Sequence, residues 1–424
     1  MKICVVGLGY IGLPTAAILA SKGHQVTGMD VKPHVLDNIR EHGASPEEPG
    51  LAELVMGELK SGNLALSDKP VPADVFIICL PTPILADKKA DISYVEKGAS
   101  SIIPHLQKGN MIILESTVPP RTTSDMVGGM VREAGFDPEN DLDLAFAPER
   151  VIPGDIIREL TTLDRVIGGL TPQAARRAKE LYSCFVTGEI VTTDSTTAEF
   201  VKLVENSYRD VNIAFANELA QLSYDFGIDV REAIEIANRH PRVNILQPGP
   251  GVGGHCIAVD PYFIIQGAPD TSRMLALARV VNSEMPGLVV DVFESLMGNL
   301  DGRNIAILGL AYKPNVGDCR ESPSMEVIRI LESRGANCRA HDPYVKDSGI
   351  ELISLEDAVK NADGIIITTG HHDFRDIDPA RILELARGNV MLDTHRVLDR
   401  GSWEKAGWNF CYLGDGKASR NNDL

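Results

Sequence analysis

The sequence predicts an α/β protein of two Rossmann-like, doubly wound domains joined by a central helical domain. Three observations carry that expectation. Apolar strands alternate with helical stretches over residues 1–190, a long glycine-free helical run fills the middle, and the alternation restarts at Arg303. Alternation of this kind makes parallel βαβ units with helices on both faces of a sheet. The domains are expected at 1–190, 191–300 and 301–424.

In the first block, strands are expected at Ile3–Val6, Gln25–Met29, Val75–Leu80, Met111–Ser116 and Asp143–Ala147. The segments Cys79-Leu80-Pro81-Thr82-Pro83 and Glu115-Ser116-Thr117-Val118-Pro119-Pro120 fall at or just past strand ends, where a doubly wound sheet binds its ligands. Gly7-Leu8-Gly9-Tyr10-Ile11-Gly12 follows the first strand and opens a helix, and Asp30 closes the second strand. The glycines permit a tight turn and let a pyrophosphate meet the helix N-terminus, while the acid accepts from a ribose 2′-hydroxyl and repels a 2′-phosphate. The motif therefore favours NAD over NADP, with FAD or a purely structural turn as the other readings. Residues 3–20 are almost wholly apolar and resemble the apolar segment of a signal peptide, but the fingerprint makes them strand, turn and helix. No targeting segment is expected, and no other run is long enough to cross a bilayer.

In the middle block, 198–226 is one helix with Phe200, Leu203, Val204, Ala214, Phe215, Leu219 and Leu222 at helical spacing, and a second helix runs over 272–283. Lys202 and Asn206 share a face of the first, with Arg209 three residues on. An ordinary exposed face has the same composition. Between the helices, Gly249, Gly251, Gly253 and Gly254 lead to Cys256, with Asp260 four residues further. Such glycine density lets a backbone approach a ligand closely. A thiol presented there is a candidate nucleophile, whereas Cys4 and Cys79 read as small residues inside apolar strands. His240 and Arg242 precede this loop, and Glu149 and Arg150 follow a strand end; plain surface charge is the other reading of each.

The third block has strands at Asn304–Leu308, Asn337–His341, Gly364–Thr368 and Asn389–Asp393. Gly309 and Asp342 stand thirty-three residues apart, against twenty-three for Gly7 and Asp30. The extra length forms a turn with Lys313 and Arg320 before Ser322 and Pro323 start a helix. The nucleotide fingerprint is gone, and the enlarged turn either holds another phosphate-bearing ligand or is a solvated loop. Residues 418–424 are polar and expected to fray.

The 424 residues, 44% hydrophobic and 24% charged, make an ordinary globular composition. A net charge of −18 argues against nucleic-acid and anionic-membrane partners, so an anionic ligand must be held by local arginines, lysines and backbone amides. Seven scattered cysteines without a C-x-x-C pair give neither a disulfide framework nor a metal site, and they fit a reducing cytoplasm.

The ordered set of motifs resembles the UDP-glucose/GDP-mannose dehydrogenase family over nearly the whole chain. The set comprises the N-terminal fingerprint, Glu115–Pro120, the Glu199–Asn206 helix segment, the Gly253–Asp260 loop and the Tyr312–Asn315 turn. Within it, 147–154 and 253–263 look like the N-acetylhexosamine branch, with Ala258 replacing that branch's usual proline. The resemblance implies a four-electron, NAD-dependent oxidation of a UDP-N-acetylhexosamine at C6, manno at C2 with gluco as the alternative. It runs through a Cys256 thiohemiacetal and thioester. Lys202 and Asn206 then stabilise the oxyanion, Asp260 acts as base through a water, and Glu149 helps activate the hydrolytic water. Gly7, Gly9, Tyr10, Ile11, Gly12, Asp30, Thr82 and Thr117 line the NAD site. Arg150, Val151, Lys202, Asn206, Arg209, His240, Arg242, Gly253, Tyr312, Lys313, Arg320 and Arg396 hold the UDP-sugar. A homodimer pairs through the central helix. A two-electron hydroxyacid dehydrogenase needs neither Cys256 nor residues 303–424, and a non-catalytic nucleotide-sugar-binding protein predicts loss of Cys256, Lys202 or Asn206.

Overall fold

A computed structural model describes residues 1–44, 48–151 and 154–417. The tail 418–424, expected to fray, and Ile152 and Pro153 lie outside the described residues. Two compact units form, one from residues 1–205 and 262–269, the other from 206–261 and 270–424.

The first unit holds an eight-stranded sheet in the order β3-β2-β1-β4-β5-β6-β7-β8. Its strands are Lys2–Val6 (β1), Gln25–Met29 (β2), Leu64–Ser67 (β3), Val75–Ile78 (β4), Met111–Leu114 (β5), Asp143–Phe146 (β6), Arg165–Gly169 (β7) and Ile190–Asp194 (β8). The central strands β4, β5 and β6 are buried along their whole length, as parallel strands covered on both faces must be. All pairings are parallel except β6 with β7. Strand order reverses between β1 and β4, which opens a crevice at their carboxyl ends. Strands β3, β7 and β8 were not expected. Polar or exposed positions interrupt β3 and β8, and β7 begins with arginine and ends in two glycines, so none reads as an apolar run. Strand β4 ends at Ile78, which corrects the placement of Cys79: it stands one residue past the strand.

Helix Gly12–Ser21 follows β1. A Cβ on Gly12 would stand 1.9 Å from the Gly7 carbonyl oxygen, a backbone atom that cannot swing aside. Gly12→Ala is therefore expected to destabilise the fold by about 1–3 kcal/mol. Thermal unfolding with and without NAD measures this, and an unchanged midpoint together with unchanged NAD binding would refute it.

The second unit holds a five-stranded, fully parallel sheet in the order β10-β9-β11-β12-β13. The strands are Asn304–Leu308 (β9), Asn337–His341 (β10), Gly364–Ile367 (β11), Val390–Asp393 (β12) and Asn409–Tyr412 (β13). Its order reverses between β9 and β11, so both sheets are doubly wound. The helical middle consists chiefly of the 32-residue helix Ser195–Phe226 and the 25-residue helix Arg273–Met297. The second continues well past Ser283, through Pro286. An interior proline removes a helical hydrogen bond. Burial of Met285, Val289, Val292 and Phe293 in the core of the second sheet offsets that loss. Among the described residues no helix is long and apolar enough to cross a membrane.

Candidate active site

At the crevice of the first sheet, Gly7 has φ +96°, a conformation that side chains disfavour. Space beside Gly9 is open, with nothing within 4 Å of where its Cβ would be. Ile11 at the helix start supplies no capping side chain, and the first turn carries no acid. These features fit a dinucleotide pyrophosphate, because the uncapped N–H groups and the positive helix end favour an anion. Asp30 at the end of β2 accepts from the Leu8 N–H at 3.1 Å and the Lys32 N–H at 2.9 Å, which aims its carboxylate at the turn. Exposed Tyr10 donates to Glu48 at 2.6 Å. The Thr82 hydroxyl donates to the Thr117 carbonyl at 2.6 Å, tying the segments after β4 and β5 together.

Glu149 follows β6, and its side chain is 8% exposed. One of its oxygens accepts from the Arg150 N–H at 2.7 Å, and the other pairs with Arg165 Nη2. Arg150 itself pairs with Glu205 at 2.6 Å, and Val151 stands beside it, half-buried. Beneath lies Glu115, which accepts from Tyr182 Oη at 2.5 Å, Cys79 Sγ at 2.9 Å and Thr15 Oγ1 at 3.3 Å. Burial raises the Glu115 carboxyl above the usual range and the Cys79 thiol well above its own. Burial pulls Arg165 down, but Glu149 and Glu115 outweigh it and hold the guanidinium cationic.

Glu199, fully buried on the long helix, accepts from the Arg121 N–H at 2.5 Å and the Thr123 N–H at 2.7 Å. It thereby fixes the chain that follows Thr117-Val118-Pro119-Pro120. Burial raises its carboxyl to about 7 against those two donors. An acid raised in the folded state stabilises most below its unfolded value near 4.5, and that contribution is lost as pH rises through about 7. Between those values wild type is expected to lose on the order of 3 kcal/mol that Glu199→Gln does not. Denaturant midpoints at pH 5 and pH 8 test this; equal slopes in both proteins would sink it.

On the same helix, Lys202 is 9% exposed, yet its ammonium makes no hydrogen bond or ion pair among the described residues. It is not the ordinary exposed face that its spacing also allowed.

In the second unit, Asn206 donates to Asp260 at 2.6 Å. Asp260 opens helix Asp260–Gly267, and its N–H donates to the Cys256 carbonyl at 2.8 Å, so the thiol sits one turn from the carboxylate. The glycine loop lies against the enlarged turn after β9. A Cβ on Gly253 would stand 2.6 Å from the Glu321 carbonyl and 2.8 Å from Tyr312 Cβ, and one on Gly254 would stand 2.9 Å from the Tyr312 ring. The Gly254 N–H donates to the Arg320 carbonyl at 3.1 Å. Asp318 grips the Arg320 guanidinium, one nitrogen of which lies 3.3 Å from His255 Nδ1. Burial, then Asp318 and Cys256, raise the Tyr312 hydroxyl, so thiol and phenol share one electrostatic neighbourhood. Arg209, Arg242 and Lys313 are exposed, and their cationic groups have no partner among the described residues. His240 accepts from the Arg242 N–H at 3.3 Å. Arg396 pairs with Asp229 and stacks 4.8 Å over Tyr412.

Several supporting residues were missed. Asp342 accepts from the Leu310 and Ala311 N–H groups at 2.6 and 3.0 Å, and from buried His371 Nε2 at 3.0 Å. Burial pushes its carboxyl up, but these donors win and hold it well below the usual range. His371 Nδ1 accepts from the Asn315 N–H at 2.9 Å, latching the enlarged turn. The start of the glycine loop is tied by Asn217, which accepts from the Gly249 N–H at 3.0 Å and leads through Asn282 to Asp210 and Arg279. Arg165 and Glu115 left one signal, a lone charge at the edge of an apolar strand run.

Residues 1–186 match the NAD binding domain of the UDP-glucose/GDP-mannose dehydrogenase family, 196–284 its central domain and 306–400 its UDP binding domain. Over 422 residues the chain is 46% identical to a UDP-N-acetyl-D-mannosamine dehydrogenase of Methanocaldococcus jannaschii, covering 98% of this chain and 97% of the relative. It is 42% identical over 414 residues to an NDP-N-acetyl-D-galactosaminuronic acid dehydrogenase of Ralstonia solanacearum, covering 95% and 96%. The solved structure of a UDP-D-ManNAc dehydrogenase from Pyrococcus horikoshii is similar, with a TM-score of 0.91 at 39% identity over 98% of this chain and 100% of that one.

Proposed function

The chain belongs to the UDP-glucose/GDP-mannose dehydrogenase family, and from that premise we propose that it oxidises UDP-N-acetyl-D-mannosamine at C6 to the uronate, with Cys256 as nucleophile. The observation that carries the assignment is Cys256 itself. It lies in a glycine loop pressed against Tyr312, one helical turn from an Asp260 already bonded to Asn206.

NAD, held by the Gly7–Gly12 turn with Asp30, Thr82 and Thr117, supplies the hydride acceptor for both oxidations. Asp260 takes the C6 hydroxyl proton through a water as the first hydride leaves. The aldehyde that results has no carbinol hydrogen to surrender, because its carbon is sp². Cys256 thiolate adds to that carbon, a C–S bond forms, and the carbonyl oxygen becomes an oxyanion. The Lys202 ammonium and the second Asn206 amide hydrogen stabilise that oxygen. Loss of the second hydride restores the carbonyl as a thioester. Water directed by Glu149 then adds to C6, the C–S bond breaks, and carboxylate and thiol are released. Arg209, Arg242 and Lys313 supply the positive charge that a pyrophosphate needs on a chain of net charge −18.

The reading extends to assembly. Exposed Tyr208, Phe215, Leu222 and Phe226 on the long helix, with Met274, Leu277 and Val280 on the second, support pairing of two copies through this face. A thiol catalyst also suits the reducing cytoplasm.

The test counts NADH per limiting sugar nucleotide. Two from UDP-N-acetyl-D-mannosamine and none from the gluco, galacto, UDP-glucose or GDP-mannose substrates is the expected result. Two from another sugar would reassign the substrate. One would remove Cys256 from its role, and none from any would overturn the reading.

A further inference from the structure

We propose that Arg165 is a positioning residue that holds the Glu149 carboxylate in place for the water-consuming half of the reaction. The inference rests on the function proposed above and adds to it a residue that acts only through another.

The argument starts from sheet topology. Parallel strands bring only their carboxyl ends to the ligand edge of the first sheet. Strand β7 alone runs antiparallel to its neighbour β6, with Ala145 opposite Gly169 and Phe146 opposite Gly168. Continuing that register places Arg165, the first residue of β7, opposite Glu149, three residues past β6. The reversal, which β8 shares by pairing parallel with β7, thus delivers a side chain to the catalytic edge from the amino end of a strand.

The side chain is built in, not merely nearby. Arg165 is 4% exposed, and its guanidinium lies 4.9 Å from the Tyr182 ring centre and 5.6 Å from that of Phe185. Nη2 pairs with Glu149, whereas Nη1 stands 3.8 Å from Glu115 and has no hydrogen-bond partner. A buried ion pair is weak evidence for stability, and one with an unsatisfied guanidinium nitrogen is weaker still. What the arrangement does achieve is geometric. Arg150 N–H holds one Glu149 oxygen and Arg165 the other, so the carboxylate has one orientation. Each oxygen keeps a second lone pair to accept from a water. Glu115, with donors from Tyr182, Thr15 and Cys79, fixes the floor under Arg165.

A positioning role predicts a defect in one step. The thioester forms by loss of hydride from C6 and is consumed when water oxygen bonds to C6 and the C–S bond breaks. Glu149 serves only the second event. In Arg165→Lys, both NADH molecules of the first turnover are expected at near wild-type rate. Steady-state turnover then falls at least about ten-fold, less than the ~10²–10⁴-fold of a lost general base because Glu149 is misplaced and not removed. Acid quench and intact-protein mass spectrometry are expected to find the acyl group on Cys256. Glu149→Gln should show the same accumulation, and adding Arg165→Lys to it should slow turnover no further, because residues acting as one unit are not additive.

Equal slowing of the first hydride step in Arg165→Lys, or full additivity with Glu149→Gln, would overturn the inference and leave Arg165 a structural residue. Should Arg165→Lys not fold, Glu115→Gln, which keeps both residues but removes the charge beside Arg165 Nη1, takes its position in the same measurements, with a hydrolysis-specific defect expected and an unaltered or uniformly slowed reaction overturning the inference. Wild-type protein that yields neither two NADH per sugar nor an acyl-enzyme defeats the proposed function itself, a separate and recognisable failure.

Discussion

Cys256→Ala is expected to release at most one NADH per UDP-sugar and to lower steady-state oxidation by about 10⁴–10⁶-fold, the range seen when a catalytic nucleophile or its partner is removed. The first oxidation takes a hydride from a carbinol carbon and needs no thiol. The second cannot begin until a nucleophile has made the aldehyde carbon tetrahedral. Alanine is the informative replacement, because a serine hydroxyl can still add. The fold should survive, since the loop is held by Gly253 and Gly254 against Tyr312 and by the Asp260 N–H on the residue 256 carbonyl, contacts that alanine retains. Equal unfolding midpoints for the two proteins are therefore the control. Two NADH per sugar from the variant at wild-type rate would place the nucleophile elsewhere.

Lys202→Ala is expected to lower kcat by about 10²–10³-fold, the usual cost of one oxyanion donor, with little change in KM for the UDP-sugar. The contrast with Cys256→Ala is qualitative. Stoichiometry should stay at two NADH per sugar, because negative charge develops on the C6 oxygen in both oxidations and Lys202 serves each without being consumed. The structure supports the assignment in an uncommon way. Lys202 is largely buried, and its ammonium has no partner among the described residues, which leaves it available to a ligand oxygen. Arginine should not rescue activity, since its planar fork cannot reproduce the point charge and geometry of a compact ammonium. A kcat within three-fold of wild type in Lys202→Ala would remove it from the oxyanion site.

Much of this site was legible from local rules. Gly7, Gly9, Gly12 and Asp30 could be read because a pyrophosphate-binding turn admits few residues, each with a steric or electrostatic reason. Cys256 stood out because its glycines serve no strand or helix. Lys202 and Asn206 were placed on one helical face by spacing alone. The support beneath these residues was not legible in the same way. Arg165 meets Glu149 only because β7 reverses, and nothing in Arg165-Val166-Ile167-Gly168-Gly169 encodes a direction. Asp342 reads only as the acid that closes a strand after the enlarged turn, and the structure shows it occupied by its own turn and by His371. Asn217 reads as one more polar helix residue, yet it holds the first amide of the glycine loop.

By itself, then, the sequence determined the alternation of strands and helices, the dinucleotide turn and the position of the thiol. Each of those depends on backbone conformation or side-chain period within a few residues, where chain connectivity leaves little choice. Tertiary structure alone decided which charges are partnered. It paired Arg165 with Glu149 and Asp342 with His371, and it left the Lys202 ammonium unpaired. Those outcomes depend on strand direction and on how residues distant in the chain meet, and for the buried pairs on a low-dielectric interior where a carboxylate must find a donor or a counter-charge.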